Sequence, residues 1–108
     1  MADRIRVLVV DDSAFMRRVL ANLLASDPEL EVAGTARDGE DALRQIPRLR
    51  PDVVTLDVEM PGLDGLATLE RLMREHPLPV VMVSSLTQQG AEVTVRALAL
   101  GAVDFVPK

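Results

Sequence analysis

Five short apolar runs, separated by amphipathic helical patterns in strict alternation, restrict this chain to one class of architecture. The runs are Arg6 to Val10, Glu31 to Ala36, Val53 to Leu56, Val80 to Val83 and Val103 to Val106. Short, largely uninterrupted apolar runs suit strands buried on both faces, and their alternation with helices is the pattern of βα units around a parallel sheet. The reading is therefore an α/β domain with a five-stranded parallel sheet. With 108 residues, 48% of them hydrophobic, the chain suffices for one core but not for two ordinary domains.

The helical segments carry their own signals. Met16, Val19, Leu20, Leu23 and Leu24 repeat at i, i+3, i+4, i+7 and i+8, one apolar stripe, with Ser13 placed to cap the helix. The second helix carries Leu43, Ile46 and Leu49, but Pro47 removes a backbone donor and crowds the preceding turn, so a kink or an early end is expected near Ile46. A third helix follows Asp64-Gly65 with Leu66, Leu69 and Met73 inward, and a fourth runs from about Gln88 to Leu100, closed by Gly101. Lys108 comes directly after the fifth strand. Because parallel sheets normally have both faces covered, a fifth helix is expected to be missing from this chain, with residues 1–108 forming one domain cut before that helix.

The chemistry concentrates where strands end. Asp11 and Asp12 follow Val7-Leu8-Val9-Val10, and Asp57 ends Val53-Val54-Thr55-Leu56. In parallel strands these three carboxylates converge at one end of the sheet, where ligands of open α/β folds bind and where the charges repel one another unless a cation intervenes. Mg²⁺ suits such a set, since it uses few protein carboxylates and keeps positions for water and a phosphate oxygen. Taken singly, Asp11 and Asp12 read as helix caps and Asp57 as the start of a loop; taken together they read as a metal site. Lys108 projects towards the same rim, either as an idle surface cation or as a partner first for a carboxylate and then for a phosphoryl oxygen. Ser84 ends Val80-Val81-Met82-Val83, and its hydroxyl either satisfies local backbone or donates to an anion. His76, between helix three and Pro77, reads as a solvated loop residue away from this rim.

Charge and composition remove other classes. A net charge of −5 and a pI near 4.7 do not suit a grip on nucleic-acid backbone, and two aromatics, Phe15 and Phe105, supply little base stacking. There is no cysteine for a thiolate metal site or a disulfide. No apolar stretch approaches the roughly 20 residues of a membrane span, so neither membrane insertion nor nucleic-acid binding is expected, and the expected compartment is the cytoplasm.

With Asp11-Asp12, then Asp57 followed by Met60-Pro61 and Asp64-Gly65, then Ser84, then Lys108, the chain resembles the receiver domain of two-component response regulators over essentially its whole length. Within that family the wording of Val58-Glu59-Met60-Pro61, of Val81-Met82-Val83-Ser84-Ser85-Leu86-Thr87 and of Gly101 to Lys108 looks most like the regulatory domain of the chemotaxis protein-glutamate methylesterases. The resemblance implies a flavodoxin-like, doubly wound fold with strand order 2-1-3-4-5. It also implies that Asp57 accepts a phosphoryl group from a chemotaxis histidine kinase. Mg²⁺ would then be held by Asp12 and Asp57 directly, by Asp11 through water and by the backbone carbonyl of Glu59, while Lys108 binds a phosphoryl oxygen. Ser84 and Phe105 would be the switch pair, the hydroxyl moving to the phosphate and the ring turning inward, although Phe105 reads equally well as core. Glu59 and Leu86 match positions that tune phosphate loss.

The implied output is the parent protein's own C-terminal methylesterase, acting on chemoreceptors. This chain itself has no Gly-x-Ser-x-Gly elbow and no histidine paired with a serine, so it is not expected to hydrolyse esters. Two other classes stand beside this one: a receiver that drives a DNA-binding output or acts alone, and a phosphohydrolase with an aspartyl nucleophile. Glu59, two residues beyond Asp57, has the spacing of the second acid such hydrolases use, while Met60-Pro61 and Asp11-Asp12 favour the receiver.

Overall fold

A computed structural model describes residues 4–60, 62–84 and 90–107. Its elements alternate as β1 (Ile5–Val10), α1 (Ala14–Ala25), β2 (Leu30–Ala36), α2 (Gly39–Leu49), β3 (Val53–Asp57), α3 (Gly65–Glu75), β4 (Val80–Ser84), α4 (Gly90–Ala99) and β5 (Asp104–Pro107). All strand pairs are parallel and the sheet order is β2-β1-β3-β4-β5, as the flavodoxin-like reading requires. The chain turns one way from β1 to β2 and the other way to β3. The gap beyond the carboxyl ends of β1 and β3 is therefore the topological switch point, where open α/β sheets place their ligands.

The two faces of the sheet are unequally covered. Leu8, Val10, Val54, Leu56, Val80 and Met82 join Leu43, Ile46, Leu69, Leu72 and Ala97 from the helices in one core, each at most 8% exposed. Leu72 and Thr68 are buried on α3 besides the predicted Leu69, while Leu66 and Met73 lie at the edge of that core. The alternate residues point to the side of α1. There Val7 and Val9 are buried, but Val53, Thr55 and Val81 are only half-buried and Val106 is 42% exposed. Accordingly, α1 buries none of its residues fully: Met16, Val19, Leu20 and Leu24 are half-covered, and Leu23 stands 63% exposed.

The caps explain where the helices start and stop. Ser13 accepts from the Met16 amide at 3.2 Å, Asp38 from Asp41 at 2.8 Å and Asp64 from Ala67 at 2.8 Å, each satisfying one donor that the first turn leaves unpaired. Of the two outcomes expected near Ile46, a kink or an early end, the early end is corrected, because the helix runs through Pro47 to Leu49. Pro47 falls in the last turn, where a missing donor removes a single intrahelical bond. The end is then sealed by Arg50 in the left-handed conformation (φ 49°), its amide donating to the Ile46 carbonyl at 2.8 Å. The Arg6 guanidinium from β1 donates to the Leu49 carbonyl, and to that of Arg50 at 3.2 Å, a cation at the negative end of the helix. Gly101, at φ 116°, closes α4 as expected, with its amide on Leu98 and that of Ala102 on Ala97. The expected start of α4 at Gln88 lies outside the described residues.

Candidate functional site

Asp11 continues β1 by one residue, its amide donating to the Ala36 carbonyl at 3.1 Å, and its side chain is fully buried. The Ser13 amide donates to Asp11 Oδ1 at 2.9 Å, and Arg17 Nη1 reaches back from α1 to the Asp11 carbonyl at 2.8 Å. The first carboxylate is thus fixed by the turn that also caps α1. Asp12, next along, is exposed.

Asp57 ends β3 and is 2% exposed. Just beyond it, the Val58 amide donates to the Val83 carbonyl at 3.0 Å, and the Val58 carbonyl accepts from the Gly65 amide at 3.0 Å, tying the β3–α3 loop to β4 and to the start of α3. That approach depends on glycine: a Cβ on Gly65 would sit 2.2 Å from the Asp57 carbonyl oxygen and 2.6 Å from Val58 Cα. Carboxylate oxygens of Asp11, Asp12 and Asp57 lie within 4.8 Å of one another. Two are buried and one faces solvent. The all-oxygen donor set, with an open side at Asp12, fits a hard divalent cation that keeps water in its coordination sphere.

Ser84 ends β4, one step beyond the residue paired with Asp57, and is 2% exposed. Its Oγ donates to Glu59 Oε1 at 2.6 Å. Phe105 sits opposite Met82 on β5, half-buried and packed against the core cluster. The structure thus gathers Asp11, Asp12 and Asp57, with Glu59 in the β3–α3 loop joined to Ser84 at the end of the neighbouring strand β4. Lys108, Pro61, Ser85, Leu86 and Thr87 lie outside the described residues. His76 is the C-terminal cap of α3, half-buried and just before β4, so it stands at the opposite end of that strand from Ser84. The Glu59–Ser84 bond was not read from the sequence, since nothing in the spacing of residues 25 apart signals it.

The response regulator receiver domain model matches residues 7–108. A protein-glutamate methylesterase/protein-glutamine glutaminase of Symbiobacterium thermophilum is 66% identical over 112 residues, covering 100% of this chain and 31% of that protein. The chain therefore spans about a third of the length of such relatives. Among solved structures, the response regulator domain of Thermotoga maritima CheB superposes with a TM-score of 0.92 at 52% identity, covering 97% of this chain and 78% of the other. The CheX-CheY-BeF3-Mg+2 complex of Borrelia burgdorferi gives 0.89 at 32% identity, covering 98% and 79%.

Proposed function

This chain belongs to the response regulator receiver domain family, and we propose that it is the phosphorylation-controlled regulatory domain of a chemotaxis protein-glutamate methylesterase. The observation that carries the proposal is the buried Asp57 carboxylate at the end of β3, with oxygens of Asp11 and Asp12 within 4.8 Å of it at the switch point of the sheet. An Asp57 oxygen attacks the phosphorus of a phosphohistidine on the partner kinase. The P–N bond breaks, its electron pair returns to the imidazole, and an aspartyl phosphate remains.

Asp12 and Asp57 would hold Mg²⁺, with Asp11 acting through water and Glu59 through its carbonyl, and the ion would supply charge compensation for the transferring group. The chain's own residues do the positioning. The Val58 and Gly65 backbone bonds hold Asp57 in place, Lys108 binds a phosphoryl oxygen, and Ser84 turns its hydroxyl to another. Phe105 then repacks inward, altering the α4–β5 surface that the output reads; the phosphoryl group shifts a two-state equilibrium by its differential affinity for the two states.

The names of the relatives support a C-terminal methylesterase and glutaminase output over a DNA-binding one; on our reading that output acts on chemoreceptors in the cytoplasm. No described helix is long and apolar enough to cross a membrane. The thin cover of the α1 face supports a further helix after Lys108 in the longer protein, lying beside α1 over Val81 and Val106. The test is incubation with Mg²⁺ and acetyl phosphate followed by intact mass measurement. The expected result is a labile, Mg²⁺-dependent gain of one phosphoryl group that Asp57→Asn abolishes; a gain that survives Asp57→Asn would overturn the assignment.

A further inference from the structure

A serine hydroxyl has one proton to donate, and Ser84 gives it to Glu59. The Oγ–Oε1 distance of 2.6 Å lies in the range of charge-assisted O–H···O⁻ bonds, roughly twice as strong as neutral ones. Ser84 is almost fully buried, so the bond is shielded from competing water. Glu59 is half-buried, in the β3–α3 loop two residues beyond Asp57, and that loop is clamped at Val58 on both sides. Because Asp57 pairs with Val83 across β3 and β4, Ser84 is the next residue along from the phosphoacceptor's partner. The Glu59 carboxylate accepts the hydroxyl proton now, and a phosphoryl oxygen on Asp57 would be a rival acceptor for it.

We propose that Glu59 is a latch on the switch hydroxyl, competing with the phosphoryl group for the Ser84 proton and holding the unphosphorylated conformation. The proposal rests on Asp57 being the phosphoacceptor and adds a residue that sets the equilibrium between its two states. No covalent bond changes. On switching, the Ser84–Glu59 hydrogen bond breaks, a Ser84–phosphoryl bond forms, and the half-buried Glu59 carboxylate takes its replacement donors from water. One charged acceptor is exchanged for another, so the bias is a difference between two similar terms, and removing the Glu59 acceptor tilts it towards the phosphorylated-like state. Ser84→Ala removes the proton over which the two acceptors compete, so the effect of Glu59 must disappear in that background. A carboxylate that merely repelled an anion at Asp57 would act with or without Ser84.

The probe is beryllofluoride with Mg²⁺, a phosphoryl mimic, titrated onto the full chain in a double-mutant cycle. Glu59→Ala is expected to bind it on the order of tenfold more tightly than wild type, the scale of one net hydrogen bond to a charged group. In the Ser84→Ala background, Glu59→Ala is expected to change affinity by less than about twofold, since the coupled term is gone. In the metal-free, unphosphorylated protein, the amide resonances of β4 in Glu59→Ala are expected to move towards their beryllofluoride-bound positions, and Glu59→Gln, which keeps an acceptor oxygen, to move them less. Equal tightening in both backgrounds, or unchanged or weaker binding by Glu59→Ala, would overturn the latch while leaving the phosphoacceptor reading standing. Wild-type protein that takes up no beryllofluoride with Mg²⁺ would overturn the phosphoacceptor reading and the latch with it.

Discussion

Gly65→Ala is a substitution for which local propensity and tertiary structure predict opposite signs. Gly65 is the first residue of α3, and on helix propensity alone alanine gains up to about 1 kcal/mol over glycine. The new methyl, however, would stand 2.2 Å from the Asp57 carbonyl oxygen and 2.6 Å from Val58 Cα, more than 1 Å short of the ordinary contact distance of 3.4 Å to that oxygen. Both obstacles are backbone, so no side chain can swing away to make room. Either α3 withdraws, straining the 3.0 Å bond from the Gly65 amide to the Val58 carbonyl, or the end of β3 moves. Overpacking of this kind costs about 1–3 kcal/mol, and the strained hydrogen bond adds roughly 1 kcal/mol. These outweigh the propensity gain, and the expected net loss is about 1–3 kcal/mol. Far-UV circular dichroism suits the assay, since the chain has neither tryptophan nor tyrosine. With a urea slope of about 1–3 kcal/mol/M, the midpoint should fall by on the order of 1 M. Because the displaced atoms are those of Asp57, the proposed phosphoacceptor, and its neighbour, the rate of phosphorylation should fall too. A midpoint equal to or above wild type would show that α3 does not start against the Asp57 backbone, and would leave the fixed position of that carboxylate without its cause.

Leu72→Ala should destabilise by about 2–5 kcal/mol in the same denaturation assay, because its fully buried side chain lies in the core between α3 and the sheet. Asp41 gives a pH dependence. Burial opposes its ionisation, but hydrogen bonds from Gln45 and the Arg37 amide, with the Arg44 and Arg37 guanidiniums, prevail and hold its pKa below the usual carboxylate value of 3.8. A carboxyl more acidic in the folded state stabilises the fold above its unfolded pKa and loses that contribution as pH falls through its folded pKa. Asp41→Ala should therefore unfold at a lower urea midpoint than wild type at pH 7, and the gap should narrow once the pH drops below 3.8. A gap constant with pH would assign the effect to something other than this charge. Extending the chain by one helix beyond Lys108 should raise the midpoint and suppress concentration-dependent association in sedimentation, by covering the exposed apolar side chains of the α1 face. No change in either would leave that face without its proposed cover.

The strands were legible because apolar runs alternate with helical patterns, most clearly in the central β1, β3 and β4, and all five observed strands fall within one residue of the runs at each end. The acidic site was legible for a related reason, since carboxylates abutting such runs have nowhere to lie but the carboxyl rim of the sheet. Pro47 misled because its effect depends on position within the helix. In the last turn of α2 it forfeits one bond, and Arg6, more than forty residues earlier, supplies cap donors that no local window reveals. The α1 stripe has a true 3.6-residue period, yet periodicity gives only the direction a face points and not how much surface meets it. Leu23 is exposed because no other described helix lies on its side of the sheet.

The Glu59–Ser84 bond belongs to a different category. Each residue was legible by itself, Glu59 by its spacing from Asp57 and Ser84 by its place at a strand end, but their relation is created by the β3–β4 register, which aligns Asp57 with Val83. A register shifted by one residue would turn Ser84 to the other face of the sheet and leave Glu59 facing a different side chain. On the proposed reading, the residue that would accept phosphate could be read from strand order, whereas the residue that would compete with that phosphate follows from strand register. Swapping the two side chains, as Glu59→Ser with Ser84→Glu, should therefore not restore the latch. The clamped Val58 fixes one side of the pair and the end of β4 the other, so a glutamate at position 84 would bring a third buried acid towards Asp11 and Asp57 instead of an acceptor for a proton. Weaker beryllofluoride binding by the swapped protein than by Ser84→Ala alone is the expected outcome, and wild-type affinity in the swap would mean that register does not decide which residue opposes the phosphoryl group.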